Sequence, residues 1–472
     1  MGGILSLNNP KRKERGYDVH PNESCKRRKI YPSTFVEETR LIPYLPDEVS
    51  LQILARIPRI HYLNIKRVSR SWKNAITGSE LYSLRKELGT SEEWLYILTK
   101  VDEDKLLWYG LDPLSTKWQR LPLMPMVSPE DEGRKGLGST LRMLNAMGSS
   151  IRIADVIRGW LGRKNTMDQM PYCGCSVAAL EGSLYVLGGF AQASALSGVW
   201  QYDPAVNKWS EVSPMSAGRA YCKAGVLDGK LYVVGGITRE HGGGLTPLRS
   251  AEVYNPQTGS WIQLPSMPFS KAQVPPAALL ADLLKPIATG MTSYRGRLFV
   301  AQSLYCWPFF VDVGGEVYNP QAGAWDEMPV GMGEGWPARQ AGTKLSVTVE
   351  GELYSLEPSS SLDSAKIKVY DHQEDAWKVV AEDVPVLDFT DSESPYLLAG
   401  LLGKLHVITK DARGNIAVMQ ADVQHNICPF PSTTSSKITS VPAAGSETGL
   451  WKVIARKVAV SMDLVSCQTL DI

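Results

Sequence analysis

Gly229-Lys-Leu-Tyr-Val-Val-Gly-Gly236, a polar Gly-rich loop, and then Ala251-Glu-Val-Tyr-Asn-Pro-Gln-Thr-Gly-Ser-Trp261 form the stretch that decides the fold. Residues 231–234 and 252–254 are short runs of β-branched and aromatic residues bounded by turn residues, so each reads as a strand. The Gly pair lets the backbone turn where a side chain would collide, and residues 255–259 form a tight turn whose following Trp261 opens another strand. A hydrophobic run, residues 224–227, precedes the starting glycine. The unit therefore holds four antiparallel strands and is too small to bury its own faces.

The same skeleton starts at Gly182, Gly296, Gly351 and Gly403 and ends at Trp209, Trp325, Trp377 and Trp451. Successive starting glycines are 47, 67, 55 and 52 residues apart. A period near 50 with these strands calls for radial stacking, Tyr and Trp filling the space between units. The competing reading, a β-sandwich with chance aromatics, has no reason to keep that period. The repeat resembles the kelch motif, which implies a β-propeller. Gly188-Gly189 and Gly235-Gly236 fit its double-glycine signature, whereas the fourth unit carries Ala301-Gln302 there and the fifth and sixth have no Gly pair. A further unit lies at residues 93–98, 105–112 and 117–121, where residues 112–116 copy the turns at Asp203-Pro204 and Asn255-Pro256. Counting Trp118 with the other closing tryptophans gives six blades. The first lacks an inner strand, while residues 458–460 and 464–467 have strand character near the other end. An unpaired strand exposes edge groups that natural sheets avoid, so the tail is expected to return to blade one.

Ahead of the propeller the character changes. Leu45-Pro46-Asp47-Glu48-Val49 opens a helix, with Pro at the first turn and two acids at the positive end of the dipole. Val49, Ile53, Leu54 and Ile57 follow at helical spacing until Pro58. Short helices continue over 60–67 and 68–76, and Ser79 is the expected N-cap of a helix over 80–88. This module of about 45 residues has more apolar surface than it can hide. Residues 45–48, 53–58 and 68–72 look like an F-box. That resemblance implies docking on the Skp-type adaptor of a cullin-RING ubiquitin ligase through Leu45, Pro46, Ile53, Leu54, Ile57, Pro58, Val68 and Trp72. A helical cap on the propeller is the alternative. Over residues 41–472 the chain resembles the plant F-box/kelch-repeat proteins. The expected fold is thus mainly β, a six-bladed kelch-type propeller preceded by a small all-α F-box domain. Its divisions are a basic disordered tail over 1–40, the F-box over 41–90 and the propeller over 91–472, with an insertion at 127–170 and a Ser/Thr/Pro/Ala-rich disordered loop at 426–449. Within the insertion a loosely amphipathic stretch reads as a lid packed on the propeller.

Composition narrows the function classes. The 472 residues carry 50 basic and 49 acidic side chains, a formal charge of +1, and nothing global points to nucleic acid. No run of 18 apolar residues and no hydrophobic signal peptide is present, so an intracellular protein is expected. Seven cysteines (Cys25, Cys173, Cys175, Cys222, Cys306, Cys428 and Cys467) read as buried small hydrophobes, with metal binding through Cys173-Gly-Cys175 second. Residues 1–6 match an acylation pattern on Gly2, which would give membrane contact. Basic clusters at 11–13 and 26–29 read instead as a nuclear import signal, or as a solvated tail. Nucleus, cytoplasm and a membrane anchor all stay open.

In a four-stranded blade the strand 2–3 and strand 4–1 connections share one face. Nearly all long connections fall there: 127–170, 190–198, 237–250, 270–292, 301–314 and 327–340. Long loops on a rigid scaffold carry function, so target binding is expected on that face. Candidate residues are the aromatics Tyr305, Trp307, Phe309 and Phe310, and the bases Arg219, Lys271 and Arg339 near the starts of inner strands. A basic mouth would favour an acidic or phosphorylated segment. Equally, the aromatics pack under their loop and the bases are paired. The F-box/kelch resemblance implies a non-catalytic receptor without cofactor that holds an unknown protein near the ligase core. A ligase-free scaffold is the alternative. A propeller enzyme needs clustered ligands or paired carboxylates, and His241, His372, His406 and His425 show no ligand spacing.

Overall fold

The computed structural model describes residues 40–101, 105–125, 172–191, 194–239, 245–268, 287–306, 309–336, 345–358, 365–382, 384, 396–411, 413–421, 451–458 and 462–472. Six four-stranded antiparallel sheets form the blades. From the inside outward, blade one is Met462–Asp471, Glu93–Val101, Lys105–Asp112 and Lys117–Arg120. Blade two is Ser176–Leu180, Ser183–Leu187, Val199–Asp203 and Lys208–Val212; blade three is Lys223–Leu227, Lys230–Val234, Ala251–Asn255 and Ser260–Leu264. Blade four is Ile287–Tyr294, Arg297–Cys306, Phe309–Asn319 and Ala324–Glu327; blade five is Ser346–Val349, Glu352–Pro358, Ala365–Asp371 and Ala376–Ala381. Blade six is Tyr396–Leu401, Lys404–Lys410, Ile416–Ala421 and Trp451–Lys457. Inner strands of consecutive blades lie side by side, and that of blade one touches both blade two and blade six. The ring is closed by the expected return of residues 464–467, within a strand that pairs Cys467 with Ile97 and Leu470 with Trp94.

Local chemistry explains the repetition. At each of five strand 3–4 turns an Asp or Asn side chain accepts the backbone N–H two residues on: Asp112 from Leu114, Asp203 from Ala205, Asn255 from Gln257, Asn319 from Gln321 and Asp371 from Gln373. The turn closes with a left-handed residue, Thr116, Asn207, Gly259, Gly323 or Asp375, at φ between 46° and 63°. Such Asx turns aim the next residues into the outer strand. The closing tryptophans then stitch blade to blade. Nε1 of Trp118, Trp209, Trp261, Trp325 and Trp377 donates to Arg456, Pro122, Ser213, Pro265 and Met332 of the preceding blade at 2.8–3.0 Å. Trp451 has no such partner among the described residues. The Gly pairs serve close approach: a Cβ on Gly188 (φ 60°) would sit 2.0 Å from the Arg219 carbonyl, and one on Gly236 (φ 90°) 2.7 Å from that of Ala220.

Three expectations need correction. Residues 301–314 are not a long loop, because strands two and three of blade four run on to Cys306 and from Phe309, pairing Tyr305 with Phe310 and Cys306 with Phe309. The connection at 327–340 holds a short helix, Val330–Glu334, whose first N–H groups are received by Asp375. Ser79 is the first residue of its helix rather than the cap, which is Gly78; the side-chain cap belongs to Ser69, accepting from Trp72 N. The tail 1–39, the whole insertion 127–170 and the loop 426–449 lie outside the described residues.

Candidate functional site

The amino-terminal helices are α1 (Asp47–Ala55), α2 (Tyr62–Ile65), α3 (Arg70–Thr77) and α4 (Ser79–Glu87), with a 3-10 turn at Arg59–His61. Leu54, Ala55, Tyr62, Ile76 and Leu81 make their core, and Ile57 and Trp72 pack against it. Residues 46, 49 and 53 share the opposite stripe of α1. Pro46 is exposed there, with Val49 at 42% and Ile53 at 41% exposure. Val68 (63%), Leu63 (39%) and Pro58 add further exposed apolar surface. Of the residues matched to adaptor docking, Pro46, Ile53, Pro58 and Val68 are thus presented, while Leu45, Ile57 and Trp72 are half-buried. Leu54 is a correction: at 0% exposure it supports the stripe from behind.

One arginine ties this module to the propeller. Arg85 Nη1 donates to the carbonyls of Ala55 and Ile57 and to the Tyr62 hydroxyl, each at 2.9 Å. Its Nη2 reaches the Thr90 carbonyl at 2.6 Å and Glu92 Oε1 at 2.8 Å. Glu92 in turn accepts from Arg59 N and Trp94 Nε1, both at 2.9 Å, and its backbone exchanges two hydrogen bonds with Ile472. Lys66 Nζ donates to the Ala205 carbonyl, and Tyr82 Oη to that of Asp471 at 3.4 Å. A Cβ on Gly182 would meet Tyr82 at 2.9 Å. Ala205, Gly182 and Asp471 all belong to the tight-turn end of blades one and two. The helices therefore sit on the face opposite the long connections.

On the long-connection face the expected bases part company. Arg219 is 1% exposed and cannot line a mouth: its Nε meets Glu252 Oε1 at 2.9 Å, and its Nη atoms reach Gly235 and Ser250. A guanidinium satisfied this fully, against a carboxylate that is itself 0% exposed, fixes blade three from within. Lys271, Arg339 and Trp307 lie outside the described residues, and Tyr305, Phe309 and Phe310 occupy the last rungs of the blade-four hairpin. Among the described thiols, Cys173, Cys222 and Cys467 are buried and Cys175 is half-buried, none of them in a disulfide; burial pushes Cys175 up to about 12 and Cys222 to about 11.

The residue that the sequence reading passed over is Lys223. It heads the inner strand of blade three, a place held by Ser176, Ile287, Ser346 and Tyr396 in blades two, four, five and six, and that contrast was its signal in the sequence. Burial pulls its ammonium down to about 8 from 10.5, with Cys222 opposing the shift. The unfolded chain then holds more protons between about pH 8 and 10.5, so this group's contribution to stability rises across that window and its full penalty is present below it. Lys223→Met is accordingly expected to raise the melting temperature at pH 7 by a few degrees, a gain that fades toward pH 10.5 in a melting series.

Comparison with known proteins agrees with this anatomy. The F-box domain family matches residues 42–84 and the Kelch motif family residues 171–216 and 218–268, the two blades that carry the Gly pair. Over 480 residues, 100% of both chains, the sequence is 59% identical to the F-box/kelch-repeat protein At1g22040 of Arabidopsis thaliana. It is 29% identical over 335 residues to the F-box/kelch-repeat protein At1g30090 of the same plant, covering 70% of this chain and 67% of that one. The solved structure of YjhT is 16% identical over 50% of this chain and 72% of its own, with a TM-score of 0.34, too remote to bear on the argument. Helices that match the F-box domain, blades that match the kelch motif and a relative alike over its full length lead to one conclusion: the chain belongs to the F-box/kelch-repeat proteins.

Proposed function

We propose that this chain is the target-recognition subunit of a cullin-RING ubiquitin ligase, with a Skp-type adaptor docked on the exposed stripe of α1 and a target protein held on the long-connection face. The observation that carries this reading is the placement of the two surfaces. Apolar side chains stay uncovered by both the helical module and the propeller, and the long connections leave the propeller on the face opposite the helices. The chain would perform no bond chemistry. Its contribution would be effective concentration, holding target lysines near the conjugating enzyme that the cullin and RING subunits bring. A nuclear or cytoplasmic site of action fits this role, with Gly2 acylation the alternative.

The docking stripe gives the test. Val49→Asp with Ile53→Asp places two charges where apolar area must be covered, and each apolar side chain is worth roughly 1.5–3 kcal/mol when buried. Capture of adaptor and cullin by the full chain should fall at least about tenfold, with an unchanged thermal melt. Undiminished capture by the double variant would overturn the docking assignment. Retained binding of a target protein without any adaptor, in the unsubstituted chain, would leave a scaffold instead.

A further inference from the structure

Lys223 and two buried polar side chains belong to facing elements of blades three and four. Lys223 is cross-strand partner of Val234, so both project to the same side. Val234 packs against Ala288 and Val300 of blade four. Ala288 is in turn the partner of Gln302, which follows Val300 by two positions and so shares its face. Gln302 therefore looks toward Lys223 at the level where the inner strands begin, on the long-connection side. Beside them Thr289 is the extra residue of a bulge between Ala288 and Gly290.

Among the described residues, both buried side chains are left unsatisfied. Gln302 is 2% exposed and neither its Nε2 nor its Oε1 has a hydrogen-bond partner among the described residues; Thr289 is 4% exposed and its Oγ1 has none there either. Glu252 of blade three is consumed by Arg219 on Oε1 and by Ser216 N on Oε2, and the buried Glu316, cross-strand partner of Val300, is engaged by a partner of its own. Buried polar groups in folded proteins are almost always paired, and leaving one unpaired costs about 1–3 kcal/mol. An amide and a hydroxyl left open on the face that looks toward an ammonium form a place awaiting a ligand rather than separate defects. Donors dominate the set: three N–H on Lys223, two on Gln302 and one O–H on Thr289. The missing group is an acceptor carrying negative charge.

We propose that Lys223, Gln302 and Thr289 form an anion-accepting subsite at the blade three–four entrance, which receives the carboxylate or phosphate oxygens of an acidic segment on the target protein. The subsite rests on the target-recognition reading above and supplies its chemistry. It also moves the basic determinant from Arg219, which is spent on Glu252, to a lysine four residues on. An incoming anion removes the reason for the depressed lysine, since an opposite charge within about 4–6 Å favours the charged form. The fold thus keeps at this point a destabilising ammonium that a bound acidic group would stabilise.

The test follows Lys223 directly in the full chain carrying lysines labelled at Cε, its resonance assigned by loss in Lys223→Met. Alone, Lys223 should titrate near 8. Inorganic phosphate and a hexaglutamate peptide are the two probes, and saturation with either should move the midpoint upward by about one pH unit or more. Movement with both marks a general anion site, with hexaglutamate alone a carboxylate site, and with phosphate alone a site for phosphorylated segments. Gln302→Leu should weaken the response about tenfold while leaving the melt intact. The proposal fails if neither probe moves Lys223, or if Gln302→Leu responds as the unsubstituted chain does. Adaptor capture by the unsubstituted chain is measured alongside: its absence would count against the ligase reading, whereas the titration judges the subsite alone.

Discussion

Arg85→Met is expected to destabilise the helical module by about 3–5 kcal/mol and to abolish adaptor capture by the full chain. The reasoning starts from what the guanidinium replaces. Helix α1 ends at Ala55, leaving late carbonyls without intrahelical partners, and Arg85 takes those of Ala55 and Ile57. The same side chain neutralises Glu92, which is only 11% exposed. Removing one partner of a buried pair leaves the other charge uncompensated, and that residual charge is the larger part of the loss. Methionine keeps the stem's apolar volume, so packing is not the variable. Glu92→Gln is the comparison: its single oxygen can accept from Arg59 N or from Trp94 Nε1 but not from both, while Arg85 keeps its three carbonyl partners, so it should cost less than Arg85→Met. A melt that resolves the helical module, read with proteolysis between residues 56 and 70, gives the answer. If Arg85→Met melts as the parent and keeps its adaptor, the clamp is not what orients the module.

How much of this was legible in the sequence depended on how local each cause is. The Asx turn at Asp203-Pro204 and the Trp209 that follows are complete within seven residues, so the blades were countable even where the Gly pair is missing. The return of residues 464–467 was legible for a negative reason, since a blade lacking its inner strand and a strand lacking a blade satisfy one another. Arg219 was not legible. An arginine at the mouth and one beneath it occupy the same position in the chain, and only the approach of Glu252, 33 residues on, separates them. Leu54 failed for a related reason: it and Ile53 are both apolar and adjacent, and the packing of α4 on α1 decides which turns inward. Long-range polar contacts leave no periodicity. Lys223 left a different trace, a charge at a place where the other blades carry none.

Deleting residues 462–472 is expected to remove cooperative melting altogether and to drive aggregation. Leu464, Cys467, Leu470 and Ile472 are each at most 4% exposed, and they belong to the two clusters that pack blade one against blades six and two. At roughly 1.5–3 kcal/mol for each buried large apolar side chain, their loss approaches the whole stability of an ordinary domain, about 5–15 kcal/mol. The inner edge of Glu93–Val101 would be bared at the same time, over nine paired positions. Such an edge is a template for pairing with another chain. Side-chain ties go with it, Lys410 to Asp463 at 2.7 Å and Gln468 to the Val177 carbonyl at 2.7 Å, which link the closing strand to blades six and two. The helices would suffer too, because Glu92 pairs its backbone with Ile472 and Tyr82 reaches Asp471. Adaptor capture should therefore fall in the truncated chain, although no docking residue has been touched. A synthetic peptide of residues 462–472, supplied in excess, should restore part of the melt if ring closure is the cause. A truncated chain that melts like the full one, or one that the peptide cannot help, would mean that the propeller holds together without this strand.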